Sequence, residues 1–85
     1  MDLLELRNEL DGIDKQIVEL YEKRMNVCGQ VAEYKIETGK RVFDKEREKQ
    51  KLEAVRALTH NDFNAYGVTE LFEQIMAMSR KLQYR

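Results

Sequence analysis

The chain has no proline or tryptophan and only four glycines among its 85 residues. Tight turn pairs and the strict alternation of apolar and polar residues typical of strands are therefore scarce, which disfavours a β-sheet protein. Charged residues make up 36% of the sequence. These features favour an all-α protein, and the length predicts a single domain spanning residues 1–85.

Other absences exclude classes of function. A single cysteine, Cys28, rules out an internal disulfide, and a single histidine, His60, makes a Cys/His metal site improbable. The formal net charge of −1 gives no general attraction to nucleic acid or to anionic membranes. No apolar run is long enough to span a bilayer, and no secretory signal is recognisable. We therefore expect a cytoplasmic protein that uses no metal and no cofactor.

A stripe of apolar residues, mostly alternating three and four apart, predicts one long amphipathic helix in the first half of the chain. Its members are Leu3, Leu6, Leu10, Ile13, Ile17, Leu20, Val27, Val31 and Tyr34. The step expected between Leu20 and Val27 is occupied by Arg24. A guanidinium in an apolar seam is unfavourable unless an anion meets it there. Lys35, about three turns later, returns to nearly the same face.

Capping residues predict where three helices begin and end. Helix 1 should run from about 2 to 38, with Asp2 as its N-cap and Gly39 in the left-handed position after its end. Helix 2 should follow Asp44 as N-cap and run from about 45 to 58. Helix 3 should run from about 65 to 83, with Asn64 as its cap and Phe63 packing against its entry.

Helix 1 is too long for the domain that carries it. Thirty-six residues give about 54 Å of helix, whereas a compact chain of this size is roughly 30 Å across. The overhanging apolar stripe needs a partner, most simply a second copy of the same helix. The sequence therefore predicts an intertwined, antiparallel homodimer.

Several polar side chains interrupt the apolar stripes, flank them, or crowd the segment between helices 1 and 2. They are Arg7, Arg24, Lys35, Arg47, Glu48, Ser79 and Gln83. Each alone has an ordinary explanation, such as a long cationic side chain that reaches water at a helix edge. Together they supply cations, an amide, a hydroxyl and one carboxylate, which could bind a small polyanion and stabilise negative charge on an oxygen. No nucleophile–base pair accompanies them, and we interpret Cys28 as a packed small residue.

Four sequence motifs occur in order at specific separations. They are L-x-x-L-R (Leu3 to Arg7) followed by Ile13-Asp14, the pair Arg24 and Lys35, the segment R-V-x-D-x-x-R-E (Arg41 to Glu48), and the pair Ser79 and Gln83. In these features the chain resembles the all-helical class of chorismate mutases, from Leu3 to Gln83. Members of that family convert chorismate to prephenate on the shikimate route to phenylalanine and tyrosine.

The resemblance implies a role for each matching residue. Arg24 and Ser79 should receive the ring carboxylate of chorismate, with Arg47 in support. Lys35 and an Arg7 contributed across the dimer interface should hold the enolpyruvyl carboxylate. The ether oxygen should accept hydrogen bonds from Lys35 and Gln83, and the ring hydroxyl should donate to Glu48 near the Asp44 backbone.

Helix geometry agrees with sharing the site between two subunits. Arg7 and Arg24 are about 25 Å apart along one helix, too far to hold one small ligand. An antiparallel partner that crosses near residue 18 brings its own Arg7 between Arg24 and Lys35.

Two other functions stay open at this point. One is a non-catalytic helical module for dimerisation or feedback control of an associated enzyme. The other is a sister activity on the same scaffold, the elimination of pyruvate from isochorismate.

Overall fold

The computed structural model describes residues 2–84 and contains three α-helices in that range. They are α1 (Leu3–Thr38), α2 (Lys45–Ala57) and α3 (Asp62–Gln83). The predicted all-α class is confirmed, and no strand occurs between residues 2 and 84. Within the same residues, no helix combines the length and the apolar character needed to cross a bilayer.

Both ends of α1 are capped by the predicted residues. The Asp2 carboxylate accepts a hydrogen bond from the Glu5 backbone N–H at 2.8 Å. Gly39 adopts a left-handed conformation with φ of 71°, and its N–H donates to the Lys35 carbonyl. Because this conformation is disfavoured for residues with a Cβ, glycine is suited to end the helix here.

The segment between α1 and α2 ends at Asp44. The Asp44 carboxylate accepts from the Arg47 backbone N–H at 3.0 Å, so it caps α2 as predicted. The helix ends at Ala57, with Leu58 as the C-cap. The hydrogen bond from Lys35 Nζ to the Val42 carbonyl ties this segment to α1.

The predicted start of helix 3 is wrong. The helix begins at Asp62, and its N-cap is Asn61, whose side-chain oxygen accepts from the Asn64 N–H at 2.7 Å. Asn61 and Asn64 are both competent caps, and the earlier one places the acidic Asp62 in the first turn, where the helix dipole favours it. Phe63 then lies inside the first turn and is 83% exposed, so it does not pack against the helix entry.

The packing of the three helices leaves much of α1 without a neighbour. Helix α3 packs against both α1 and α2. The only apolar side chains among residues 2–84 that are buried are Val55 and Met76, and the buried polar side chain beside them is Ser79. Residues 2–20 are exposed throughout. The molecule measures 55 × 25 × 15 Å, with a radius of gyration of 16.0 Å, against about 12 Å for a compact chain of this length.

Candidate active site

One cavity collects seven of the eight predicted site residues. It lies between the C-terminal half of α1, the first turns of α2 and the last turns of α3, and its volume is about 470 Å³. Cavities that bind small ligands in proteins fall in this size range. The predicted residues that line it are Arg24, Lys35, Asp44, Arg47, Glu48, Ser79 and Gln83.

Arg24 faces α3 from the seam of α1. Its Nη1 donates to the Ser79 hydroxyl at 3.2 Å and lies 3.6 Å from the Cys28 sulfur. The guanidinium carbon lies 5.9 Å from the centre of the Phe72 ring. Among residues 2–84 no carboxylate lies within salt-bridge distance of Arg24. This half-buried cation thus has polar neighbours but no counter-charge, which is the property expected of an anion-binding group.

Ser79 is the buried hydroxyl of the cavity. It accepts from Arg24 and, at 3.4 Å, from the Cys28 thiol, and it donates to the Ile75 carbonyl at 2.9 Å. A hydroxyl has one proton to donate. It can therefore donate to a ligand only by exchanging its bond to Ile75.

Lys35 is anchored to the segment that follows α1. Its Nζ donates to the Val42 carbonyl at 2.9 Å. An ammonium carries three donors, so two remain for a ligand in the cavity. The bond also fixes the segment that leads into α2 against α1.

The two carboxylates that line the cavity have different partners. Asp44 accepts from the Arg47 backbone N–H and so serves as the cap of α2. Glu48, one turn later, forms an ion pair with Arg80 of α3 through its Oε1. The Arg47 side chain is exposed and lines the cavity from the rim.

Gln83 has an unsatisfied polar atom. Its side-chain oxygen is buried and has no hydrogen-bond partner among residues 2–84. A buried polar atom without a partner is destabilising by about 1–3 kcal/mol. The two ends of an amide exchange places by rotation of the terminal group, so Gln83 can present either an acceptor or two donors to a ligand.

Arg7 is the predicted site residue that this cavity does not include. It lies in the exposed N-terminal half of α1. It is 17 residues from Arg24, about 25 Å along the helix. A single chain therefore does not bring Arg7 to the other seven residues.

The cavity also includes polar residues that sequence reasoning did not assign to the site, among them Arg80 and Cys28. Arg80 directly follows Ser79 and interrupts no apolar stripe, so periodicity gave no reason to select it. Cys28 lies one turn after Arg24, a spacing that places both on one face, but it reads equally well as a small packed residue.

Positive charge dominates the cavity. Its lining includes six cationic side chains, Arg24, Lys35, Lys40, Arg47, Lys51 and Arg80, and two carboxylates, of which one is paired with Arg80. The arrangement can hold a small molecule with more than one negative charge and can donate hydrogen bonds to an oxygen that becomes negative. The fold and the site thus define a helical protein with a cavity rich in cationic side chains.

Comparison with known proteins places this helical protein in a family. Residues 6–84 match the family described as chorismate mutase type II. Because the match covers nearly the whole chain, the chain belongs to the chorismate mutase type II family.

Curated relatives agree with this membership. The chain is 40% identical over 79 residues to a bifunctional chorismate mutase/prephenate dehydratase of Buchnera aphidicola subsp. Schizaphis graminum. This alignment covers 92% of the chain and 20% of the relative. The chain is also 32% identical over 83 residues to a chorismate mutase of Methanocaldococcus jannaschii. This second alignment covers 95% of the chain and 83% of the relative. The chain thus spans about a fifth of the Buchnera protein and most of the Methanocaldococcus protein.

Proposed function

We propose that this chain is a chorismate mutase, which rearranges chorismate to prephenate for aromatic amino-acid biosynthesis without a metal or cofactor. The observation that carries the proposal is that Arg24, Lys35, Glu48, Ser79 and Gln83 line the same cavity. Family membership supports it, since the relatives named above carry this activity in their names.

The reaction matches the chemistry of the cavity. In this Claisen rearrangement the ether C–O bond breaks as a new C–C bond forms, all within one molecule. No proton is transferred and no covalent intermediate with the protein forms. Because C–O cleavage runs ahead of C–C formation, negative charge grows on the ether oxygen. A cationic cavity that holds the dicarboxylate in a compact conformation lowers this barrier by orientation and by electrostatic stabilisation.

For the carboxylate-binding residues we adopt the roles that the family resemblance implies, and the shared cavity of Arg24, Lys35, Arg47 and Ser79 supports them. Arg24, which has no carboxylate partner among residues 2–84, receives the ring carboxylate together with Ser79, while Arg47 supports it from the rim. Lys35 binds the enolpyruvyl carboxylate with the donors that Val42 leaves free. The second cation at that carboxylate is Arg7 of the other subunit.

The remaining roles concern the ether oxygen and the ring hydroxyl. Lys35 and the amide nitrogen of Gln83 donate to the ether oxygen. Glu48 accepts from the ring hydroxyl, near the Asp44 backbone. Lys35, Gln83 and Glu48 are thus the proposed catalytic residues.

The packing of α1 supports the dimer. The stripe residues of α1 are between 40% exposed at Val31 and 64% exposed at Leu20. A core with two buried apolar side chains is too small to offset the loss of conformational entropy in a chain of this length. A second copy laid antiparallel along α1 covers the stripe and completes each cavity with Arg7.

Turnover of chorismate tests the proposal. We expect purified protein to consume chorismate, followed by absorbance, with prephenate as the product identified by NMR and no need for added metal. A folded protein that leaves chorismate unchanged would point to a regulatory helical module. Release of pyruvate from isochorismate, with chorismate untouched, would identify the sister elimination instead.

A further inference from the structure

Arg80 is held between an aromatic ring and a carboxylate at the cavity. Its Nη1 pairs with Oε1 of Glu48, and its guanidinium carbon lies 5.0 Å from the centre of the Phe43 ring. Phe43 belongs to the segment between α1 and α2, and Glu48 belongs to α2. A planar guanidinium can stack on a ring and donate along its edge at the same time. Arg80 therefore links α3 to both of these segments.

The contact constrains the Glu48 carboxylate. Arg80 engages Oε1, which leaves the second oxygen to accept a hydrogen bond from a ligand. Lys51, three residues after Glu48 on α2, also lines the cavity and is an alternative cationic partner at helical spacing. Without Arg80, the Glu48 carboxylate is free to turn toward Lys51.

We propose that Arg80 is a positioning residue, which holds the Glu48 carboxylate so that its free oxygen accepts the ring hydroxyl of the substrate. This inference rests on the proposed function and extends it to a residue outside the predicted set. Arg80 acts through Glu48 and makes no contact of its own with the reacting atoms.

The ion pair of Arg80 and Glu48 is partly exposed to water, so its removal should affect activity more than folding. The Arg80 and Glu48 side chains are 32% and 24% exposed. Ion pairs that remain in contact with water contribute little to stability. Removing Arg80 should therefore leave the protein folded, with activity as the property that changes.

A double-mutant cycle with Arg80→Ala and Glu48→Ala tests whether Arg80 acts through Glu48. Arg80→Ala alone should lower kcat/KM for chorismate by about ten- to a hundredfold, the loss typical of one charge-assisted hydrogen bond. In the Glu48→Ala background the same change should have less than about a threefold effect. Arg80→Lys should recover part of the activity, because it keeps the charge but loses the planar fork.

Lys81→Ala is the matched control. Lys81 is the next residue of α3, carries the same charge near the helix C-terminus, and is exposed. It should leave kcat/KM unchanged. An equal loss in Lys81→Ala would mean that general charge or helix stability is responsible. An equal effect of Arg80→Ala in both Glu48 backgrounds would mean that Arg80 binds the substrate directly. Either result overturns the inference.

A second measurement keeps this test separate from that of the proposed function. In the parent protein, ¹⁵N-resolved NMR should show slow rotation of the Arg80 guanidinium, and Glu48→Ala should abolish it. A parent that does not turn over chorismate contradicts the proposed function. A freely rotating Arg80 contradicts the inference, whether or not the protein is active.

Discussion

At the scale of single residues, the cavity holds its polar groups with bonds that a ligand must share or replace. Lys35 keeps free donors beside its bond to Val42, and Ser79 must give up its bond to Ile75. Gln83 differs, because its buried oxygen has no partner among residues 2–84. Its amide is therefore the group whose hydrogen bonding most depends on what enters the cavity.

Gln83→Glu distinguishes donation to the ether oxygen from simple packing. The variant keeps the shape of the side chain but donates only when protonated. At neutral pH the carboxylate repels the developing oxyanion, so kcat should fall by about a hundredfold or more. As the pH falls and the new carboxyl becomes protonated, activity should return. The measurement is kcat between about pH 4 and about pH 8.

Gln83→Ala is the control for this profile, since it cannot donate at any pH. It should show low kcat throughout, with a much smaller change in KM, the pattern of an interaction made mainly in the transition state. A Gln83→Glu protein with the rate and pH profile of the parent would place Gln83 away from the ether oxygen.

The sequence identified site residues where they contradict a pattern. Arg24 was found because it interrupts an apolar stripe, and Lys35 because it returns to the same face. Arg80 interrupts no apolar stripe, and a cation in the last turns of a helix is expected from the helix dipole alone. Its contacts with Phe43 and Glu48 depend on how α3 packs against two distant segments, which single-sequence periodicity does not encode.

At the scale of secondary structure, the capping residues predicted the helix ends well, except at the start of α3. Asp2, Gly39 and Asp44 each had no competitor nearby, and each caps as predicted. The start of α3 was misplaced because Asn61 and Asn64 are both good caps. The error leaves the site unchanged, since Ser79 and Gln83 lie at the other end of the helix.

Gly39 is the one residue between 2 and 84 that adopts a positive φ. It ends α1, and its N–H donates to the Lys35 carbonyl. Gly39→Ala should lower the free energy of unfolding by about 1–2 kcal/mol, because an L-residue is strained in the left-handed region. Denaturant unfolding at fixed protein concentration measures this change in the free energy of unfolding.

Gly67→Ala is the matched control within a helix. A Cβ at Gly67 meets nothing within 4 Å apart from its chain neighbours and the adjacent backbone of its own helix. This change should raise the free energy of unfolding by up to about 1 kcal/mol, from the higher helix propensity of alanine. If Gly39→Ala stabilised the protein to the same extent, the left-handed end of α1 would not be required in solution.

At the scale of the whole molecule, the proposed intertwined dimer would explain both the long exposed α1 and the distance of Arg7 from the cavity. The sequence predicted both features from helix length and periodicity. Helix length and periodicity do not determine the path of a second chain. An exposed apolar stripe indicates that a partner packs on it, but not the angle at which the partner crosses. A functional test of the crossing is therefore more informative than mass alone.

Subunit complementation tests the dimer and the placement of Arg7 together. Sedimentation should first give about twice the chain mass of 10.1 kDa. Arg7→Ala and Arg24→Ala should each be folded and nearly inactive as separate homodimers, because each loses a charged contact to a carboxylate. Unfolding the two variants together and refolding them should restore activity. Half of the dimers are then mixed, and one of the two sites in each mixed dimer has both arginines, so about a quarter of the parent activity should return.

The control mixes Arg24→Ala with Lys35→Ala, two changes proposed to affect the same site from the same subunit. In their mixed dimers every site lacks one of the two cations, so no activity should return. Recovery in the control as well would mean that Lys35 and Arg24 serve different sites. No recovery in the Arg7 mixture, from variants that are folded and dimeric, would show that Arg7 does not complete the site of its partner, and the exposed stripe of α1 would then need a different arrangement of the two chains.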